Sequence, residues 1–109
     1  MMIQQVKVVK LSGNLNTNST QEFREKVDEA LKSETKILVI DCENVSFIDS
    51  SGLGALVLVF KMLKEVHSRM VICSINEQVR ILFELTGMDK VFEIFPSQAA
   101  FNQSLLQKK

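Results

Sequence analysis

The sequence is short of the residues from which most enzyme and metal sites are built. Its 109 residues contain one histidine, two cysteines and four glycines. A Ser-His-Asp site would have to use His67, yet the helix expected to begin near Ser51 would hold the two more than about 20 Å apart at about 1.5 Å per residue. No triad forms within that helix. Two cysteines and a single histidine match no zinc-ligand spacing. Cys42 and Cys73 are also too few for a disulfide framework, and both lie in or beside apolar runs, so they read as reduced core thiols. Gly52-Leu53-Gly54 begins like a dinucleotide fingerprint, but Val57 stands at the third glycine position. Charge of one sign is missing as well. Thirteen Lys+Arg against thirteen Asp+Glu leave a net charge of zero, without the bulk basic footprint of a nonspecific nucleic-acid binder. No window approaches the roughly 20 apolar residues of a membrane span, and Met1 to Gln5 lacks the basic and apolar segments of a signal peptide. These absences predict a cytoplasmic protein with no metal, cofactor, nucleic-acid partner or direct membrane insertion.

What is present is the composition of one globular domain over residues 1–109, with 46% apolar and 24% charged residues. Gln5 to Leu11 is a β-branched, partly alternating run that reads as a strand, stopped by the turn residues Ser12-Gly13-Asn14. Ser19-Thr20-Gln21-Glu22 has capping-box spacing. Phe23, Val27 and Leu31 then recur every four residues, with a charged, solvated face between them. Lys36 to Ile40 is a short continuous apolar run, the pattern of a strand covered on both faces. A helical pattern extends from Leu53 to about His67, and Met70 to Ile75 makes another strand. Asn76 is placed to cap a helix bearing Val79, Leu82 and Phe83 that ends at Gly87. Val91 to Phe95 reads as a last strand, and Pro96-Ser97 opens a helix with Phe101 and Leu105. This alternation predicts an α/β domain with helices packed on a mostly parallel sheet.

One constellation stands out. Asp49-Ser50-Ser51-Gly52 lies between an extended apolar segment and a helix, where ligands of α/β proteins usually bind. Capping explains one polar residue there, and close packing explains Gly52. Neither explains two adjacent hydroxyls ahead of a helix that is apolar nearly all round. Leu53, Leu56, Val57, Phe60 and Leu63 follow the spacing of a core-facing stripe, while Ala55, Leu58, Val59 and Met62 make a second stripe. A neighbouring helix could cover that second stripe, or a partner could.

The segment Phe47-Ile48-Asp49-Ser50-Ser51-Gly52-Leu53-Gly54 closely resembles the phosphorylation-site motif of bacterial anti-sigma factor antagonists, the small single-domain members of the STAS class. Ser12-Gly13-Asn14-Leu15, Ile37 to Asp41, and Asn76 to Gly87 extend the likeness over nearly the whole chain. The resemblance implies a STAS-like α/β fold with a mostly parallel four- to five-stranded sheet and about four helices. It also implies a regulator that is not itself an enzyme. In the family, an anti-sigma factor that is also an ATP-dependent serine kinase phosphorylates the first serine of the motif, and a metal-dependent serine phosphatase removes the group. The unmodified antagonist binds the anti-sigma factor, which releases the sigma factor. Carried over by position, Ser50 is the phosphoacceptor and Ser51 the second candidate. Asn16, Asp49, Ser50, Ser51, Gly52, Ala55, Leu58, Val59 and Met62 form the expected partner-binding set. Two departures stand out: Asn16 replaces a residue that is commonly acidic, and the chain before Val6 is shorter than in many relatives, which puts a first strand in question. The alternative readings are a STAS subunit of another assembly, such as a stress-sensing complex or a lipid-transporter accessory, and a nucleotide-binding module around Asn16 and Ser50.

Overall fold

In the computed structural model, which describes residues 5–107, strands and helices alternate from end to end. The order is β1 (Val6–Leu15), α1 (Thr20–Ala30), β2 (Ile37–Ile48), α2 (Ser50–Glu65), β3 (Arg69–Cys73), α3 (Glu77–Thr86), a 3-10 turn (Met88–Lys90), β4 (Glu93–Phe95) and α4 (Gln98–Gln107). Among the described residues the sheet has four strands, all parallel, in the order β1-β2-β3-β4. The question of a strand before Val6 falls mainly on residues 1–4, which lie outside the described residues.

Because strand order follows chain order, each crossover steps the same way, and right-handed crossovers then put their helices on one face. Phe23 and Val27 of α1, Leu56, Val59 and Leu63 of α2, and Val79 and Phe83 of α3 accordingly share one core with Leu38, Ile40 and Ile72. Helix α4 covers the other face, where Phe101 packs with Ile37, Val39, Val71 and Cys73. The apolar run in β2 is therefore buried alternately on two sides. Both cysteines are free and buried. Burial pushes the Cys42 thiol up to about 12 and raises that of Cys73 as well, so neither is a ready nucleophile.

Three local expectations need correction. Strand β1 does not stop at Ser12-Gly13-Asn14 but continues to Leu15, with register shifts between Lys10 and Ser12 and between Gly13 and Asn14. Gly13 takes a φ of 75°, a left-handed conformation that costs glycine little, so the strand bends without leaving the ladder. Strand β2 likewise runs on through Asp41 to Ser46 and ends at Ile48. There the buried Asp41 carboxylate accepts from the Glu43 N–H at 2.9 Å and from Gln98 Nε2 at 2.6 Å. Ser19, finally, precedes α1 but makes no capping hydrogen bond to it. Its hydroxyl donates to Asn14 O at 2.7 Å and accepts from the Asn16 N–H at 2.9 Å, because loop closure claims the group first.

The two extended strand ends matter most for the site. They carry Leu15 and Ile48 side by side, paired in register, so the loop after β1 meets the start of α2.

Candidate functional site

Helix α2 starts on Ser50 because Asp49 caps it. The Asp49 backbone is extended, and its Oδ1 accepts from the Gly52 N–H at 2.9 Å, satisfying one of the orphan donors of the first turn. The Asp49 N–H in turn donates to Leu15 O at 3.2 Å, which anchors the junction to β1. Ser50 and Ser51 follow as exposed residues in the first turn. Thr17 Oγ1, in the loop after β1, donates to Ser51 Oγ at 2.9 Å.

Gly52 sits beneath this turn, not on its surface. A Cβ there would lie 2.2 Å from Leu15 O and 2.9 Å from Leu15 Cγ, so only glycine lets α2 approach β1 this closely. Gly54, one position past Leu53, is the opposite case, since a Cβ there meets nothing within 4 Å. Glycine costs a helix interior about 1 kcal/mol relative to alanine. Gly54→Ala is expected to raise the melting temperature by about 5 °C, a change that calorimetry would measure.

The burial phase of α2 differs from the expected one. Gly52, Leu56, Val59 and Leu63 are its buried residues, a clean i, i+4, i+7, i+11 stripe. Val59 is 0% exposed and packs in the core, so it leaves the partner-binding set. Gly52, buried under Leu15, leaves it too as a contact residue and remains as the residue that positions the turn. Leu53, Val57 and Phe60, expected in the core, pack against it only partly buried, with the Phe60 ring edge-on to Phe92 at 5.8 Å. The sequence pattern could not separate these phases because α2 is apolar on three sides.

On the α1 side, an open groove runs between the two helices. Thr17, Thr20, Gln21, Arg24, Glu25 and Asp28 make one polar and charged wall, and Ser51, Gly54, Ala55 and Leu58 the other. Leu58 is 47% exposed, Ala55 and Met62 are half-buried, and Ser50, next to Ser51, is exposed. The second stripe is thus divided: the core takes Val59, and Leu58 faces solvent. Phe47, 49% exposed two residues before the capping residue, adds an apolar surface outside the expected partner-binding set.

Asn16 is half-buried and turned into its own loop. Its Oδ1 accepts from the Asn18 N–H at 3.0 Å, and its carbonyl accepts from the Ser19 and Thr20 N–H groups, each at 3.0 Å. It is a turn former of the Asx type. The residues that sequence reasoning missed are Thr17, which reaches Ser51, and Arg24, whose charged neighbours suggested only a solvated face. No periodicity marks such a long-range pair. Among the described residues, no cluster of His, Cys, Asp or Glu could hold a metal ion, and no helix is long and apolar enough to cross a membrane.

Comparison with known proteins matches residues 2–100 to the sequence model of the STAS domain. An anti-sigma F factor antagonist of Paenibacillus polymyxa is 30% identical over 94 residues, spanning 85% of this chain and 80% of that protein. An anti-sigma-B factor antagonist of Listeria monocytogenes is 31% identical over 84 residues, spanning 77% and 74%. Among solved structures, the unphosphorylated anti-sigma factor antagonist SpoIIAA superposes with a TM-score of 0.76 at 22% identity, covering 100% of this chain and 96% of that one. The phosphorylated form of the Bacillus protein gives 0.68 at 22% identity, covering 95% and 96%.

Proposed function

The chain belongs to the STAS domain family, and from that premise we propose that it is an anti-sigma factor antagonist switched by phosphorylation of Ser50. In its unmodified form it binds an anti-sigma factor that is also an ATP-dependent serine kinase. Phosphorylation releases that partner, and a metal-dependent serine phosphatase resets the cycle. The observation that carries this reading is the placement of Ser50: an exposed hydroxyl on the first residue of α2, next to Ser51, which lines the groove between α1 and α2 with Ala55 and Leu58. Ser51, Ala55 and Leu58 line that groove, Asp49, Ser50 and Met62 complete the proposed partner-binding set on α2 and its cap, and Asn16 shapes the loop after β1.

The electrostatics favour such a switch. A phosphoryl group adds about −1.5 to −2 charge. At Ser50 it meets the positive end of the helix dipole and the N–H groups of Ser50 and Ser51, which have no intrahelical acceptor. The fold therefore tolerates the group. A partner seated on Ala55 and Leu58 does not, because the same charge must be desolvated within the interface.

The test is to incubate the protein with a purified anti-sigma factor of the kinase type and ATP, then map the phosphate by mass spectrometry. Phosphate on the peptide carrying Ser50 is the expected result. Phosphate only outside residues 50 and 51 refutes the assignment.

A further inference from the structure

Two serines stand side by side at the helix start, and the structure treats them differently. We propose that Thr17 is a specificity-determining residue: by occupying Ser51, it directs phosphoryl transfer to Ser50. This inference rests on the reading of Ser50 as the phosphoacceptor and adds the means by which it is chosen.

Ser51 Oγ accepts a 2.9 Å hydrogen bond from Thr17 Oγ1, across 34 positions of sequence. Ser50 Oγ makes none of the side-chain hydrogen bonds found among the described residues, and Ser50 is exposed. In the transfer, a serine Oγ lone pair forms a bond to the γ-phosphorus of ATP. The bond from that phosphorus to the β,γ-bridging oxygen breaks, ADP leaves with the electron pair, and the hydroxyl proton passes to a base on the kinase. An oxygen already accepting a hydrogen bond offers one lone pair fewer to phosphorus.

The contact is held in place by its surroundings. On the loop side, Asn16 Oδ1 accepts from Asn18 N–H, Ser19 Oγ donates to Asn14 O, and Thr20 Oγ1 donates to Thr17 O at 3.3 Å. On the helix side, Asp49 N–H donates to Leu15 O, and Gly52 lies directly on the Leu15 carbonyl. Thr17 therefore meets Ser51 without ordering a free loop, which lowers the entropic cost of the contact.

The experiment compares the parent protein with Thr17→Val, which keeps the β-branched shape and removes the donor, and with Thr17→Ser, which restores it. Each is phosphorylated by a purified kinase-type anti-sigma factor with ATP, and the two serines are resolved by fragmentation mass spectrometry. The ratio of phospho-Ser51 to phospho-Ser50 should rise about tenfold in Thr17→Val and return toward the parent value in Thr17→Ser. Tenfold corresponds to about 1.4 kcal/mol, within the net worth of one hydrogen bond. In a Ser50→Ala background, adding Thr17→Val should speed phosphorylation of Ser51 by a similar factor. An unchanged ratio, with the parent modified at Ser50, overturns the role of Thr17 and leaves the Ser50 switch standing. Failure to find phosphate on either serine of the parent overturns both.

Discussion

Gly52→Ala is expected to lower the melting temperature by about 15 °C. The added methyl would stand 2.2 Å from Leu15 O and 2.8 Å from Leu15 C, and backbone atoms in a paired strand cannot swing aside as a flexible side chain would. Relief requires α2 to move off β1. That movement stretches the Asp49 N–H to Leu15 O hydrogen bond and lifts Leu56 and Val59 from the core they share with Leu15. Overpacking of this kind costs about 1–3 kcal/mol, and contact with main chain places Gly52 at the upper end. For a domain of this length, each kcal/mol is worth about 4–8 °C. Differential scanning calorimetry of Gly52→Ala beside Gly54→Ala makes the comparison within one helix turn: a large fall for the first and a modest rise for the second. Equal melting temperatures would mean that the close approach of α2 to Leu15 is wrong.

Ser50→Asp is expected to weaken binding to the anti-sigma factor about a hundredfold while leaving the melting temperature within a few degrees of the parent. A hundredfold loss requires only about 2.7 kcal/mol. Like-charge repulsion and desolvation of a new carboxylate within the interface reach that range. Within the free protein the same carboxylate lies in the first turn of α2, where negative charge is mildly stabilising. The two effects thus separate: binding is lost and the fold is kept. Gly52→Ala, by contrast, should lose both together. If Ser50→Asp binds as tightly as the parent, charge at Ser50 is not the basis of the switch.

Much of the architecture is legible in local sequence. Phe23 and Val27 mark the inner face of α1, the Asn76 side chain caps α3 by accepting from the Val79 N–H at 2.9 Å, and Gly87 ends that helix in the left-handed conformation. Each is a signal within a few residues. The resemblance carried by Phe47 to Gly54 adds what local physics alone did not, a named family and a candidate phosphoacceptor. Features that depend on distant partners escaped. Gly13 reads as a turn until β2 is beside it, and Ser19 reads as a cap until Asn14 and Asn16 claim its hydroxyl. The phase of α2 was ambiguous because α1 and Phe92 pack against its flanks, so Val59, not Leu53 or Val57, reaches the core. Thr17 carried no periodic or motif signal, and only the fold brings it to Ser51.

The zero net charge of the chain makes the proposed switch easy to follow, since one phosphoryl group moves the total to about −2 and separates the two forms by isoelectric focusing. Titrating each purified form against the same anti-sigma factor by calorimetry tests the central claim most directly. Tight binding of the unmodified chain, with affinity about a hundredfold lower for the form carrying phosphate on Ser50, is the predicted result. Equal dissociation constants for the two forms would contradict it.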